Sequence, residues 1–337
     1  MNGTSWIDQI TAREIIRTLE ENTSWLILVH ENPDGDTLGC GLALYSLGRR
    51  LGKTVRIAGK TPMPDGYHFL PFSDEYEAKQ DLTQEDTKGA LLISVDTSTV
   101  ERSLNGLCDA VLQMPSINID HHGDNQMYSA LNLVMPQASA TAEIITELFL
   151  HSPWKIEKNE AVCLYAALVT DNGNFRFKST TPHSHFCAAK LLEAGAEPSE
   201  IDDMVNQNMT PAIMRLWGTA FCRVQVFLDG RAAMFWLDAE DFTRAEADSS
   251  AVDGLVNMLL RIKGIKIAAF LSVFEGNNKL SVRTRAPYCA REIAAAFGGG
   301  GHVQAAGAKI SGNFDDALRD VKAEIEKYVS GRHPSGQ

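Results

Sequence analysis

The sequence predicts an α/β protein in which an N-terminal domain, a parallel sheet flanked by helices, precedes a smaller α+β domain with a mixed sheet. The chain has 337 residues, more than one domain usually contains. In its first half, short apolar runs alternate with helical patterns, the βαβ order typical of a parallel sheet. From Cys222 onward, alternating segments joined by short turns such as DG and EGNN indicate an antiparallel or mixed sheet.

Four apolar runs in the first half have the length and composition of buried strands. They are Trp25–Val29, Thr54–Ala58, Leu91–Val95 and Ser116–Ile119. The pattern after the first run predicts a helix over Thr37–Gly52, and apolar residues at helical spacing predict another over Asn159–Thr170. The segment TTPHSHFCAAKLLEAGAEPSEI predicts a helix, a glycine-containing turn and a second helix.

The second half adds helical patterns over Val252–Ile262, Cys289–Phe297 and Asp315–Val329 to its alternating segments. No internal repeat is apparent. We therefore expect a first domain over residues 1–190, a helical linker over 191–220 and a second domain over 221–330.

Charge and cysteine usage narrow the classes of function. The formal net charge of −12 argues against a protein that holds long nucleic acid through many phosphate contacts, but it is compatible with a short phosphorylated substrate. The six cysteines are scattered without paired spacing, so we expect free thiols in a reducing compartment, the cytoplasm. The N-terminus lacks a signal-peptide pattern and no apolar run reaches the roughly 18 residues that span a bilayer, so we expect no membrane association.

Polar side chains follow three of the predicted strands, at the point where each strand ends. The motif HENPDGD follows the first strand, Asp96 follows the third, and Asp120, His121 and His122 follow the fourth. Because the carboxyl ends of parallel strands meet at one edge of a sheet, we expect these groups to converge. Asp171, at the end of a predicted helix, joins them if that helix packs antiparallel to the strands.

The converging residues are carboxylates and imidazoles, the ligands that hard and borderline divalent metals prefer. The set is His30, Asp34, Asp36, Asp96, His121, His122 and Asp171. Its aspartates would repel one another without cations, whereas two cations about 3.5–4 Å apart can share a hydroxide nucleophile and neutralise a transferring phosphoryl group. Hydrolysis of phosphate esters is therefore the first reaction class to consider.

Each motif also has a plain structural interpretation. PDGD is a common turn sequence, Asp96 can cap a helix, and Asp171 can form an Asx turn. The adjacent histidines can lie on the surface. For all of these interpretations to hold, each acidic or imidazole group would have to reach the same sheet edge by accident.

A glycine-rich segment in the second half is a candidate anion-binding element. Four consecutive glycines end a helical pattern and are followed by His302. Such a backbone can present N–H groups to an anion, or it can be a flexible turn; no Lys-Ser/Thr follows it, so it is not a P-loop. Arg283 and Arg285 share a face of a predicted strand, which is either a solvated basic edge or, with His302, a clamp for phosphate or ribose.

Five motifs, HENPDGD, VDTS, DHH, TDNGNFRF and GGGGHVQAAG, stand in the order and approximate spacing of the DHH/DHHA1 phosphoesterases. The chain resembles that family over nearly its whole length. The resemblance implies a DHH catalytic domain with a five-stranded parallel sheet, and a DHHA1 substrate-binding domain that closes over the metal crevice. It also implies two divalent metal ions, of which Mn²⁺ is the usual one.

The resemblance assigns the metal ligands. His30, Asp34 and Asp96 would hold one ion. The other would be held by Asp36, Asp96, His121 and Asp171, with Asp96 bridging the two ions. Asp120 would orient a histidine from behind these ligands.

The resemblance also assigns the remaining candidates to the substrate. His122 would face the scissile phosphate and act in catalysis together with Asp120. The far end of the nucleotide would be bound by Arg283, Gly299, Gly300, Gly301 and His302.

Within the family, the compact form resembles the bacterial nanoRNase/pAp-phosphatase group. We therefore expect hydrolysis of very short oligoribonucleotides such as pApA and of nucleotide phosphomonoesters such as pAp. Three alternatives stay open: a cyclic-di-AMP phosphodiesterase, an inorganic pyrophosphatase, and a non-catalytic nucleotide-binding regulator. A long-DNA exonuclease is disfavoured by the acidic charge, and a homodimer is compatible with the family. Asn172 and Thr284 depart from the residues usual in the family, which bears on substrate preference and not on metal ligands.

Overall fold

The computed structural model describes residues 6–103, 114–206, 209–252, 254–274 and 276–331. The chain divides into two compact units, Met1–Asn208 and Met209–Gln337. Of the residues described, no helix is both long enough and apolar enough to cross a membrane. The free cysteines predicted from the sequence are confirmed at five positions, Cys40, Cys163, Cys187, Cys222 and Cys289. Cys108 lies outside the described residues.

The first unit is built on one parallel sheet of six strands in the spatial order β3-β2-β1-β4-β5-β6. The strands are β1 (Ser24–Leu28), β2 (Thr54–Gly59), β3 (Tyr76–Ala78), β4 (Leu91–Val95), β5 (Ser116–Asp120) and β6 (Leu131–Val134). The expected parallel sheet is confirmed, but the five-stranded count is wrong. The two edge strands, β3 and β6, are too short for an apolar pattern to identify them.

Helices of the first unit connect and cover these strands. They are α1 (Gln9–Glu21), α2 (Gly35–Arg50), α3 (Gln84–Thr87), α4 (Thr141–Leu150), α5 (Lys158–Asp171), α6 (Pro182–Glu193) and α7 (Pro198–Asn206). Helix α2 starts two residues before the predicted Thr37, because the Asp34 carboxylate accepts hydrogen bonds from the backbone N–H groups of Asp36 and Thr37.

The order of the strands determines where a ligand can bind. From β1 the chain moves outward through β2 to β3, and it then returns to β4, on the other side of β1, and moves outward through β5 to β6. The carboxyl ends of β1 and β4 therefore flank the point where the connections reverse direction, the usual ligand-binding crevice of a doubly wound sheet.

Helices α2 and α5 pack closely where Gly39 meets Cys163. A Cβ atom added at Gly39 would lie 2.3 Å from the Cys163 carbonyl oxygen and 2.8 Å from the Ala167 Cβ atom. Because the nearest atom belongs to a helix backbone, it cannot rotate away. We expect Gly39→Ala to lower the free energy of unfolding by roughly 1–3 kcal/mol, measured by urea denaturation.

Gly218 provides the matched control for that substitution. It lies inside a helix of the second unit, and a Cβ atom there would meet nothing within 4 Å. Gly218→Ala should leave stability unchanged or raise it by up to about 1 kcal/mol. Equal effects of the two substitutions would contradict the close packing of α2 against α5.

The second unit contains a mixed sheet of six strands in the order β11-β12-β10-β9-β8-β7. The strands are β7 (Gln225–Phe227), β8 (Ala232–Leu237), β9 (Ile267–Phe274), β10 (Asn277–Thr284), β11 (Gly300–Gly301) and β12 (Ala305–Ile310). Only the β8–β9 pair is parallel among the strand pairs of this unit's described residues. The predicted mixed sheet is confirmed.

Both faces of this sheet are covered. Alternate residues of β8 enter different apolar clusters, Met234 one and Phe235 the other. The helices are α8 (Pro211–Cys222), α9 (Ala239–Ala245), α10 (Ala290–Ala295) and α11 (Phe314–Ser330). The predicted helix over Val252–Ile262 is wrong: two 3₁₀ helices, Ser249–Val252 and Leu255–Arg261, stand there, and Gly254 at φ +74° precedes the second.

Candidate metal centre

One group of metal-binding side chains lies at the carboxyl ends of β1 and β4. His30 Nε2 is 3.7 Å from Asp34 Oδ1 and 3.5 Å from Asp96 Oδ2. The ligand atoms of these three side chains lie within 4.8 Å of one another. Burial alone would lower the pKa of His30, but its hydrogen bonds with Asp34 and Asp96 raise that pKa to about 10. The imidazole therefore stands in a strongly negative environment, one that favours a cation.

A second group combines residues from α2, the end of β5 and the end of α5. His121 Nε2 is 3.4 Å from Asp171 Oδ2 and 4.0 Å from Asp36 Oδ2. The ligand atoms of these three side chains also lie within 4.8 Å of one another. The other ring nitrogen of His121 lies 3.3 Å from the carbonyl oxygen of Ala138, which helps to fix the ring. Helix α5 thus delivers Asp171 to the edge of the sheet where β5 ends.

Asp96 lies between the two groups. Its Oδ2 is 3.5 Å from His30 Nε2, and its Oδ1 is 3.5 Å from His121 Nε2. The backbone of Asp96 has φ +54°, and its N–H donates to the carbonyl oxygen of Ile119. Aspartate tolerates this left-handed conformation better than most residues with a side chain. Each oxygen of this one carboxylate therefore faces a different group, as a ligand shared by two cations requires.

The N-terminus of α4 contacts the same carboxylates, which the sequence did not reveal. The backbone N–H groups of Thr141 and Ala142 donate to Asp36 at 2.6 and 3.1 Å, and the Thr141 hydroxyl donates to Asp96 Oδ1 at 2.9 Å. The N-cap residue of α4 is Ala140, which has no side-chain acceptor. The Asp36 carboxylate accepts hydrogen bonds from the N–H groups that a capping side chain would otherwise engage. In the sequence, this contact could be signalled only by the absence of a capping residue before α4.

The carboxylates in the centre disfavour one another's ionisation. Burial, followed by the charges of Asp96, Asp171 and Asp34, raises the pKa of Asp36 well above its ordinary value. Burial is also the main reason that the pKa of Asp171 rises to about 6. Divalent cations would neutralise these crowded carboxylates, and the carboxylate and imidazole donors of the cluster fit such ions.

His122 is held by Asp120 at the end of β5. His122 Nδ1 lies 2.7 Å from Asp120 Oδ1, and the Asn125 side-chain amide donates to Asp120 Oδ2 at 2.5 Å. The hydrogen bond to Asp120 raises the pKa of His122. His122 Nδ1 is also 3.7 Å from Asp96 Oδ1. Because Asp120 already engages that nitrogen, a metal could take it only by breaking this hydrogen bond. Asn125 was not predicted from the sequence.

The raised pKa of Asp171 makes metal binding dependent on pH. Below about pH 6 this carboxyl holds a proton, which a cation must displace before it can bind. We expect the affinity for Mn²⁺ to rise between about pH 5 and about pH 7, with protons released on binding. Isothermal titration calorimetry in buffers of different ionisation enthalpy measures both quantities.

Two substitutions test the origin of that pH dependence. Asp171→Asn should weaken Mn²⁺ binding and flatten its dependence on pH near 6, since the titrating group is gone. Asp74→Asn, which changes an exposed carboxylate, should leave both quantities unchanged. An unchanged pH dependence in Asp171→Asn would assign the released protons to other groups.

The second unit has a cavity of about 800 Å³ beside β10 and the glycine-rich segment. It is lined by Arg283, Gly299, Gly300 and Gly301, which the structure thus brings together. His302 is not among its lining residues, and neither is Arg285, which is exposed. Burial lowers the pKa of the half-buried Arg283, although the guanidinium stays charged at neutral pH.

Two glycines beside this cavity, Gly299 and Gly300, have different structural reasons for lacking a side chain. A Cβ atom at Gly299 would lie 2.2 Å from the carbonyl oxygen of Gly307, so the close approach of the two segments requires glycine there. At Gly300 a Cβ atom would meet nothing within 4 Å, and the backbone is not left-handed. The fold therefore does not explain the glycine at 300, whereas the approach of a ligand would.

Together, the fold and the polar cluster define a class of protein: a two-domain α/β protein with a carboxylate and imidazole centre at the switch point of its parallel sheet. Residues 24–168 match the DHH family, N-terminal domain, and residues 232–330 match the DHHA1 domain. Curated relatives match nearly the whole chain. The chain belongs to the DHH/DHHA1 family of phosphoesterases, and the membership expected from the sequence is confirmed.

Two curated relatives carry the same descriptive name, bifunctional oligoribonuclease and PAP phosphatase NrnA. The protein from Thermus thermophilus is 32% identical over 328 residues, which cover 96% of this chain and 95% of the relative. The protein from Bacillus subtilis is 29% identical over 318 residues, 93% of this chain and 97% of the relative.

Solved structures agree with the fold. An exopolyphosphatase-related protein from Bacteroides fragilis is 26% identical, with a TM-score of 0.85 over 97% of this chain and 98% of that one. The exonuclease RecJ bound to manganese is 15% identical, with a TM-score of 0.53 over 98% of this chain and 97% of that one. The second likeness is one of fold alone.

Proposed function

We propose that this protein is a metal-dependent phosphoesterase that hydrolyses short oligoribonucleotides and nucleotide phosphomonoesters such as pAp. The observation that carries the proposal is the position of Asp96, whose two carboxylate oxygens face separate groups of metal-binding side chains. Two relatives aligned over nearly the whole chain are named for oligoribonuclease and PAP phosphatase activities. Their names supply the substrate class.

The grouping of the donor atoms supports an assignment of residues to two cations. One would be held by His30, Asp34 and Asp96, and the other by Asp36, Asp96, His121 and Asp171. When bound, a pair of divalent cations supplies activated water and neutralises the charge that develops on the phosphoryl group. These six ligands are carboxylates and imidazoles without a thiolate, so hard ions suit them. Mn²⁺ is the ion we propose.

The remaining residues handle the substrate. His122 Nδ1 is occupied by Asp120, so the other ring nitrogen is the one that can donate to a phosphoryl oxygen. The hydrogen bond to Asp120 raises the pKa of His122 and favours the protonated ring, which places positive charge where the substrate is anionic. Asp120 is thus a positioning residue. We propose that the cavity at Arg283 binds the nucleotide through the guanidinium and the neighbouring glycine backbone.

A comparison of substrates tests the proposal directly. The full-length protein with Mn²⁺ should be assayed on pApA, pAp, RNA of graded length, cyclic di-AMP and pyrophosphate under identical conditions. We expect pApA and pAp to be turned over fastest and the rate to fall as the RNA lengthens.

Each other outcome of that comparison selects a different function. Faster turnover of cyclic di-AMP would identify a cyclic-dinucleotide phosphodiesterase, and faster turnover of pyrophosphate would identify a pyrophosphatase. If folded, metal-loaded protein turned over none of these substrates, the proposal would be refuted. A non-catalytic nucleotide-binding regulator would then be the remaining alternative.

Replacing Arg283 tests the role of the cavity. Arg283→Met retains a flexible apolar side chain and removes the guanidinium, so the fold should persist. Loss of a charged hydrogen-bonding partner corresponds to an increase of roughly 10- to 100-fold in the KM for pApA. Steady-state kinetics should show a smaller effect on kcat.

Arg285→Met is the matched control for that substitution. Arg285 is two residues further along the chain but exposed and outside the cavity lining. Its replacement should change KM by less than about threefold, because only a surface charge is lost. Equal effects of the two substitutions would indicate a general loss of positive charge and not a specific contact in the cavity.

A further inference from the structure

A different set of metal-binding side chains meets between α4 and α6 of the first unit. Glu147 lies on α4, while His183 and Cys187 lie on α6. His183 Nε2 is 3.3 Å from Glu147 Oε1 and 3.4 Å from Cys187 Sγ. The ligand atoms of the three side chains lie within 4.8 Å of one another. The proposed phosphoesterase mechanism uses none of them.

The spacing of these residues suits a site held between two helices. His183 and Cys187 are four residues apart, so they project from the same face of α6. Glu147 and Cys187 are buried, and the side chain of His183 is 16% exposed, which leaves a path for an ion. The ring of Trp6 stacks on His183 with centroids 3.8 Å apart and an interplanar angle of 15°, which fixes the plane of the imidazole.

Hydrogen bonds do not use the three side chains together, since the Cys187 thiol can instead donate to the Glu143 carbonyl oxygen, at the long distance of 3.9 Å. One atom, His183 Nε2, faces both the Glu147 carboxylate and the Cys187 sulfur. An imidazole nitrogen carries either one proton or one lone pair, so it cannot donate to the carboxylate and accept from the thiol at the same time. A cation among the three atoms would use all of them together.

The surroundings also favour a positive ion. Glu143, one turn before Glu147 on α4, is fully buried, and within the described part of the chain its Oε2 atom has no hydrogen-bond partner. His151 Nδ1 lies 2.9 Å from the carbonyl oxygen of Glu147 and 3.2 Å from Glu147 Oε2, the carboxylate oxygen that does not face His183, so it can help to orient that carboxylate. Two buried carboxylates therefore stand in this small region.

Two of the three separations are those expected for tetrahedral coordination. With Zn–N and Zn–O distances near 2.1 Å and a Zn–S distance near 2.3 Å, tetrahedral angles separate N from O by about 3.4 Å and N from S by about 3.6 Å. The observed separations are 3.3 and 3.4 Å. We propose that Glu147, His183 and Cys187 bind one Zn²⁺ ion, a site distinct from the carboxylate-rich centre at the strand ends.

Sulfur distinguishes this site chemically from the other centre. Thiolate is a soft ligand that selects Zn²⁺ over Mn²⁺, whereas the ligands proposed at the strand ends are carboxylates and imidazoles. Burial raises the pKa of the Cys187 thiol, so the sulfur keeps its proton until a metal displaces it.

The ion would fix the position of α4, so its role would be structural. Thr141, the first residue of α4, contacts Asp36 and Asp96, and Glu147 follows six residues later, about 9 Å along the helix axis. Cross-linking α4 to α6 through a metal would hold the start of α4, and therefore those two carboxylates, in position.

Cobalt reports the proposed thiolate directly. Full-length protein is stripped with chelator and titrated with Co²⁺ while its ultraviolet and visible absorption are recorded. We expect a sulfur-to-cobalt charge-transfer band whose final intensity corresponds to one cobalt-bound thiolate per chain and which added Zn²⁺ bleaches. The band should be lost in Cys187→Ala and in His183→Gln, and it should persist in Asp96→Asn, which alters only the other centre.

Cys163→Ala is the matched control, since Cys163 is a buried cysteine that belongs to none of the metal-binding groups in the described chain. It should retain the band. Absence of the band in folded wild-type protein overturns the proposal, and this result does not depend on any variant folding. A band that survives Cys187→Ala but disappears in Cys40→Ala would also overturn it, because Cys40 Sγ lies 3.4 Å from Asp36 Oδ1.

Discussion

Asp96→Asn should reduce turnover of pApA on the order of 10³-fold or more, because it removes the carboxylate proposed to bridge two cations. Asparagine is the suitable replacement. It has the size of aspartate and tolerates the φ of +54° at this position. Its amide oxygen can still accept a hydrogen bond from the Thr141 hydroxyl. The loss should therefore appear in kcat while the far-ultraviolet circular dichroism stays close to that of the wild type.

Asp229→Asn is a closely matched control for that loss. Asp229 also has φ +54°, and its side chain is 96% exposed. The same chemical change in the same backbone conformation should leave kcat unchanged within about twofold. If Asp96→Asn kept most of its activity, the two-cation assignment would be wrong, whatever the metal content.

Removal of divalent metal should abolish turnover completely and also lower the melting temperature. The loss of activity follows if the cations supply the activated water, and the loss of stability follows because buried carboxylates then face one another unscreened. Dialysis against a chelator, followed by activity assay and differential scanning calorimetry, measures both effects. Added Mn²⁺ should restore both.

Chelator already saturated with Mn²⁺ serves as the control, since it cannot extract metal and should have no effect. Mass spectrometry of the protein's metal content must accompany the assay. Full turnover by protein shown to be free of divalent metal would contradict the proposed chemistry.

The fold was predictable from the sequence where its elements are long or strongly apolar. Strand β4 occupies the predicted Leu91–Val95, β2 and β5 each extend one residue past the predicted end, and β1 is shifted by one residue toward the N-terminus. Three-residue strand β3 was not predictable, since so short a segment shows no period. Two 3₁₀ segments replace the predicted Val252–Ile262 helix, because Gly254 interrupts the α-helical path.

The candidate site was predictable where the topology of a parallel sheet decides position. The rule that strand ends share one edge brought His30, Asp96 and His121 together from separate parts of the chain. The contacts of Thr141 were not predictable, because they depend on how α4 is placed against residues 105 and 45 positions earlier. The same reason explains why the group of Glu147, His183 and Cys187 was not predicted, since its members lie on two helices with ordinary sequence patterns.

The hydrogen bonds from α4 to Asp36 affect how far an aspartate at this position in a related sequence indicates that the relative is active. Asp36 holds the first turn of a helix that has no capping side chain of its own, so a descendant that had lost activity would still need an acceptor at this position to keep its stability. Retention of aspartate at 36 is therefore weak support for activity in a relative. His121 and Asp171 do not cap a helix in this way, and their presence or loss is the more informative marker of whether catalysis has been kept.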